Sequence, residues 1–301
     1  YMDATQGWIP TTDDDVTEAP VMLNSEGIFG FGWPGGSYTA VTNLVSNSGV
    51  VATDVTGVGT IRSHLAACEY GGDKGIFGFG YNGASGNVGM TNLVSNAGVV
   101  ATDVTAVGTA RSGLAACSYG GDKGIFGFAG YTNLVSNAGV VATDVTQVGT
   151  ARSNLAACEY STDKGIFGFG TTGSITAVTN LVSNAGVVAT DTTGVGTARS
   201  VLAACSYGGD KSIFGYGATP TYVSMTNLVS NAGVVATDVT GVGTARDELA
   251  ACEYGTDKGI FGYGHSSYNS MTNLVSNAGV VATDVTGVGM DRYGLAGCSF
   301  N

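Results

Sequence analysis

Apolar and polar positions along this chain fall in short runs of period two, not at the 3.6-residue spacing of a helix, and the runs recur. In one stretch, 65–70 reads LAACEY, 75–80 GIFGFG, 90–95 MTNLVS and 99–105 VVATDVT. Each is rich in Val, Ile, Thr, Tyr or Phe and is bounded by Gly, Asn or Asp, the mark of a β-strand between tight turns. The first two flank GGDK and the last two flank NAG, turns whose Gly and Asn supply positive φ. These strands are lettered A to D. A connector, 106–111 (AVGTAR), leads to the next strand A.

The whole unit repeats. TNLVSN begins at Thr42, Thr91, Thr132, Thr179, Thr226 and Thr272, at spacings of 49, 41, 47, 47 and 46 residues. A period of 40–50 residues with several short strands per copy predicts propeller blades. The expectation is an all-β, six-bladed β-propeller of four-stranded blades over 27–301, preceded by an extended arm or linker over 1–26 that carries Trp8 and Ile9. The first repeated element is a strand B at 27–32 and the last a strand A at 295–300. The C-terminal strand A is therefore expected to pair with the N-terminal strand B, closing the ring and removing exposed edges.

Arg–Ser–x–Leu–Ala–Ala–Cys, a turn, and Gly–Ile–Phe–Gly–Phe–Gly together resemble the kelch repeat over 27–301. The chain departs from that pattern in spacing its glycines as Gly78-x-Gly80 and in lacking the usual tyrosine and tryptophan of strands C and D. The wording IFGFG…TNLVSNAGVVATD…GVGTAR is also similar to propeller repeats of tailed-phage virion proteins. That resemblance implies a virion or extracellular surface location.

Composition narrows the function. Charged residues make up 11% of the chain, against roughly 25% in an ordinary soluble domain, and the net charge is −12. An anionic surface repels phosphate, so no nucleic-acid partner is expected. No apolar run approaches the ~20 residues of a membrane helix, so no membrane partner is expected either. No signal peptide is visible, and the chain opens on Tyr1.

Comparison of the six copies sorts constant from variable positions. The A–B and C–D turns, on one end of an up-and-down blade, are nearly constant. The B–C loops on the other end differ in every copy and carry Trp33, Tyr38, Tyr81, Tyr131, Tyr222, His265 and Tyr268; the variable D–A junctions carry His64. Two readings stand: a recognition surface for a glycan or protein, built of rigid aromatics and adaptable polar residues, or loops that drift without constraint.

The repeated polar residues have structural readings. Arg62, Arg111, Arg152, Arg199, Arg246 and Arg292 are expected to pair with Asp54, Asp103, Asp144, Asp191, Asp238 and Asp284 or to cap loop carbonyls, with an anion-binding arginine ring as the alternative. The six cysteines read as buried packing between blades rather than disulfides. After each Cys the residue alternates as Glu69, Ser118, Glu159, Ser206, Glu253 and Ser299. The three glutamates either line a channel that attracts a cation or sit solvated in a wet pore. No catalytic set, metal or cofactor is expected: GIFGFG leads into a strand rather than a phosphate-holding helix, and neither histidine stands in a nucleophile motif. The chain is expected to be a binding or adhesion module rather than an enzyme such as a galactose oxidase. The alternative is a structural subunit packed against identical or virion neighbours.

Overall fold

The computed structural model describes residues 2–3, 7–8, 25–105, 107–267 and 269–300. Among them every regular element is a strand. Six sheets carry the repeats, five of three strands and one of four. The second consists of Ala66–Tyr70, Lys74–Gly78 and Thr91–Val94, antiparallel and in chain order. In the first, Ala296–Phe300 pairs with Glu26–Gly32, which pairs with Thr39–Val45. The chain's last strand thus completes its first sheet, with Phe300 opposite Glu26 and Ala296 opposite Gly30. Of 1–26, the described part includes a small ladder of Met2–Asp3 with Gly7–Trp8, and the repeat strand starts at Glu26. Ile9 lies outside the described residues.

The four-stranded unit requires correction. Strand D is continuous only in the third sheet, as Val145–Thr146 beside Tyr131–Val135. Elsewhere isolated bridges hold it, such as Val94 with Val100 and Thr91 with Val104. In every repeat sheet, the third included, the buried asparagine of TNLV reaches into this segment. Asn92 Nδ2 donates to the Ala101 carbonyl at 3.0 Å and to Asp103 Oδ1 at 2.9 Å. A side chain thereby takes a place that a backbone ladder would fill, and Asp103 turns toward the preceding connector.

Adjacent sheets pack face to face through glycine. A Cβ on Gly127 would lie 2.4 Å from Phe167 Cζ of the next sheet. The same contact joins Gly30 to Phe77, Gly78 to Phe126, Gly168 to Phe214, Gly215 to Phe261 and Gly262 to Phe29, so the series returns to its start. The cysteines make a second such set: Cys68 Sγ stands 2.5 Å from where a Cβ on Gly124 would be. All six thiols are free and buried, and burial pushes each far above its ordinary pKa, so they are inert apolar packing.

The A strands contact one another in series, Ala66–Tyr70 touching both Ala115–Tyr119 and Ala296–Phe300. Just before them, six residues hydrogen-bond to one another through the main chain. His64 N donates to Gly294 O, Gly294 N to Glu248 O, Glu248 N to Val201 O, Val201 N to Asn154 O, Asn154 N to Gly113 O and Gly113 N to His64 O, at 2.7–3.0 Å. The cycle is complete. All six residues have φ between 50° and 66°, a region that costs L-residues free energy and β-branched Val201 most.

Candidate functional site

The buried arginines come first because they fix the connectors. The Arg62 guanidinium lies 4.2 Å over the Phe31 ring of the neighbouring sheet. Its Nε donates to Phe79 O at 2.8 Å and its Nη2 to Asn92 Oδ1 at 2.7 Å. Asp103 Oδ1 is 3.9 Å from Arg62 Nη1 and is held more closely by the Thr60 hydroxyl, 2.6 Å from Oδ2. Each of the other five arginines stacks on the corresponding Phe or Tyr. Ion-pair distances to an aspartate occur at Arg62, Arg111 and Arg199, the latter two with Asp144 and Asp238. Asp191, Asp284 and Asp54 instead hold the backbone N–H of Thr150, Thr244 and Met290. Burial, opposed by the aspartates, lowers Arg62, Arg111, Arg152 and Arg199 to about 10, so they stay charged at neutral pH. Burial also pushes Asp103, Asp144, Asp191, Asp238 and Asp284 up, but hydrogen bonds from Thr and Asn overcome it and hold them low. These groups are consumed by the framework. Arg111 Nε, Arg152 Nη2 and Arg199 Nη2 lack hydrogen-bond partners, but all six arginines are buried, out of an anion's reach.

The axis holds a narrow channel of about 50 Å³ lined by Cys68, Glu69 and their equivalents. The glutamates are not simply solvated. Burial, then repulsion from Glu69, raises Glu159 to about 8 and Glu253 in the same direction. The alternation has a physical account: a carboxylate on every A strand would place like charges on adjacent strands, and the intervening serines bond backbone instead. Ser206 Oγ donates to Glu159 O at 3.2 Å, and Ser299 Oγ to Glu253 O at 3.2 Å. Among the described residues no group of three or more His, Cys, Asp or Glu stands close enough to hold a metal. A carboxyl whose folded pKa is raised contributes stability below its unfolded value of about 4.3, and that stability is lost as pH rises through the folded value. Unfolding free energy is therefore expected to fall between pH 5 and 9. Glu159→Gln should reduce that fall by about 2 kcal/mol, less than the full shift implies because the neighbouring glutamates titrate together. Urea midpoints at pH 5, 7 and 9 measure it; a flat wild-type profile contradicts it.

The variable loops and junctions meet at the other end of the sheets. Consecutive antiparallel strands put the A–B and C–D turns together, where Asn96 Nδ2 reaches Asp73 Oδ2 at 3.3 Å. They also put the B–C loops beside the D–A junctions, where Trp33 bridges Tyr293, Ser63 bridges Tyr81 and Asp247 bridges His265. Side chains gather there. Trp33 lies edge-on to Tyr293 with centroids 5.1 Å apart, Tyr293 is 4.9 Å from His265, and His265 is 5.6 Å from Tyr222. Tyr38 and Tyr81 form a separate pair at 6.0 Å. Tyr131 differs from expectation: it opens strand Tyr131–Val135, paired with Phe128, because only Ala129 and Gly130 make the turn. Tyr268 lies outside the described residues.

Sequence inspection missed the acids of this end. Glu248 Oε2 is 3.2 Å from His64 Nε2, and Ser63 Oγ is 2.7 Å from His64 Nδ1. His64 therefore does stand between a hydroxyl and a carboxylate, as in a hydrolytic triad. Ser63 is fully buried, however, so no substrate carbonyl reaches it in this arrangement. Asp247 Oδ1 lies 3.7 Å from His265 Nδ1. Burial, then the adjacent Glu248, raises Asp247 to about 6. Tyr293 and Asp247 are the members of this cluster that the B–C loops alone could not reveal. The signal was present in the D–A pairs, where both break the sixfold pattern.

No family model matches the chain, and no curated protein matches it.

Proposed function

We propose that the chain is a closed six-bladed β-propeller that recognises a glycan or protein through its variable-loop end, as a non-enzymatic adhesion component of a virion or extracellular surface. Closure is supported by the shared first sheet, the returning glycine–phenylalanine series and the complete hydrogen-bond cycle. The observation that carries recognition is the row Trp33–Tyr293–His265–Tyr222, partly exposed aromatic groups collected where the sixfold pattern breaks. Drifting loops have no reason to bring such residues into contact. Aromatic side chains with polar tips give large contact area at small entropic cost.

The combined variant Trp33→Ala, Tyr81→Ala, Tyr222→Ala is expected to abolish binding on a glycan array and on a panel of cell-surface proteins, with its thermal unfolding retained. Lys74→Ala at the constant end should bind like the parent. Equal binding by the triple variant overturns the reading. A second reading, stacking of identical copies, is favoured by one observation. Val50, Val99, Val140, Val187, Val234 and Val280 at the constant end are each 64–65% exposed. Ordered assemblies formed without any ligand would select it.

A further inference from the structure

One sector of the variable end has the shape and chemistry of a small-ligand site. Between loop 218–222 of one sheet and Ser266, Ser267, Asn269 and Met271 of the next lies a cleft of about 730 Å³, within the size range of such sites. Its polar lining comprises Thr221, Tyr222, Thr244, Ser266, Ser267 and Asn269. Those are five hydroxyls and one carboxamide, groups able to donate and accept, except that the Thr244 hydroxyl already donates to Asp284 Oδ2 at 2.7 Å and so can only accept. Tyr222 offers a ring that is 41% exposed.

That ring is positioned. Its hydroxyl meets His265 Nδ1 at 2.9 Å, and the backbone of His265 is held in turn by Asp247: His265 N donates to Asp247 O at 2.7 Å, and Asp247 N donates to His265 O at 3.1 Å. Asp247 is 8% exposed, and its Oδ1 has no hydrogen bond. A buried acceptor behind an imidazole that orients an exposed ring is the support a binding platform needs.

The charge around the cleft selects its ligand. The five lysines lie in the A–B turns at the opposite end, each beside the aspartate that precedes it. Arg246, next to the cleft's Ala245, is fully buried and spends its guanidinium on Tyr263 O, Thr244 O and Asn273 Oδ1. No lysine or arginine lines the cleft, and the molecule is acidic overall.

From this we infer that the cleft binds an uncharged oligosaccharide, with one pyranose face stacked on Tyr222 and the ring hydroxyls bonded to Thr221, Thr244, Ser266, Ser267 and Asn269. The inference rests on the recognition reading and narrows it to one sector and one ligand class. The test is an array of neutral, sialylated, sulfated and uronic-acid glycans, followed by titration calorimetry of the best neutral hit. Neutral glycans are expected to bind. Tyr222→Ala should weaken the best of them by about tenfold or more, Tyr222→Phe by a smaller factor, and Lys74→Ala, at the opposite end, not at all. Tyr222 and Tyr81 are both exposed loop-end residues, and unchanged thermal unfolding confirms that each variant is folded. Binding confined to acidic glycans overturns the inference. So does loss with Tyr81→Ala and not Tyr222→Ala, which leaves the recognition reading standing. A blank array also overturns it, and the recognition reading falls with it only if the cell-surface protein panel is blank as well.

Discussion

A chain shortened to end at Gly294 is expected to lose its cooperative unfolding transition altogether. The missing residues, 295–301, include the strand that pairs with Glu26–Gly30 along five register positions. Phe300 is fully buried, and Leu295 and Cys298 nearly so. Phe300 and Cys298 share a core with Ile28, Phe31, Phe77 and Val94, residues of two sheets, so the loss is felt on both. Deleting one buried Phe costs about 3–5 kcal/mol and one Leu about 2–5, and the strand edge of Glu26–Gly32 is bared as well. Together these meet or exceed the roughly 5–15 kcal/mol that holds a domain folded. The contrast with an open array makes the measurement informative. In a linear stack, stability is about a sum over units and their contacts, so trimming one end costs about one interface. Calorimetry of the shortened chain should show no sharp endotherm. A transition merely lowered by several degrees would contradict a closed ring. A peptide spanning 295–300 added in trans should restore part of the transition.

The second large effect is expected from Gly127→Val. A Cβ there would meet Phe167 Cζ at 2.4 Å and Cε1 at 2.7 Å, while the backbone is pinned opposite both Ala115 and Thr132. Neither partner strand has room to retreat, since each is packed on its own neighbour. Overpacking of a tight core typically costs 1–3 kcal/mol, and with a branched side chain at this distance about 3 kcal/mol or more is expected in urea unfolding. Phe167→Ala in the same chain should recover part of the loss, a coupling that independent damage would not produce. Gly36→Ala supplies the comparison. That position has nothing within 4 Å of the added carbon and should stay within about 0.5 kcal/mol of the parent. Equal stability of Gly127→Val and the parent would mean the sheets are not in the contact described.

Strands A, B and C were legible because their pattern is local. LAACEY, GIFGFG and TNLV each carry their own alternation and their own bounding turns, and the lag between copies placed them without further help. Strand D was misread for a reason that alternation cannot convey. VVATDVT has the composition of a strand, yet the asparagine of the preceding strand reaches across and takes the Ala101 carbonyl with its side chain. Tyr131 was misplaced because Ala129 and Gly130 look like the start of a loop and are in fact the whole of it. The candidate site was legible in part. Trp33, Tyr222 and His265 stood out as exceptions to a sixfold rule, but the carboxylates that back them depend on which junction lies beside which loop, a matter of pairing across the sheet. The cycle at the mouth was invisible. His64, Gly113, Asn154, Val201, Glu248 and Gly294 share no side-chain chemistry, so their variability read as freedom while their backbones share one left-handed conformation.

That cycle separates two jobs that proteins usually assign to the same atoms. The amide and carbonyl of each junction hold the architecture together, and that bonding asks nothing of the side chain, although His64 and Glu248 meet each other. The opening is therefore a six-position alphabet: any letter can be rewritten, one at a time or all at once, and the frame does not read the message. Every L-residue pays something for the left-handed backbone, a β-branched one most, and proline lacks the N–H the cycle needs. A lineage that copies its units and then edits six codons thereby acquires a new aperture on an old wheel, and a laboratory library confined to those codons would sample the same space.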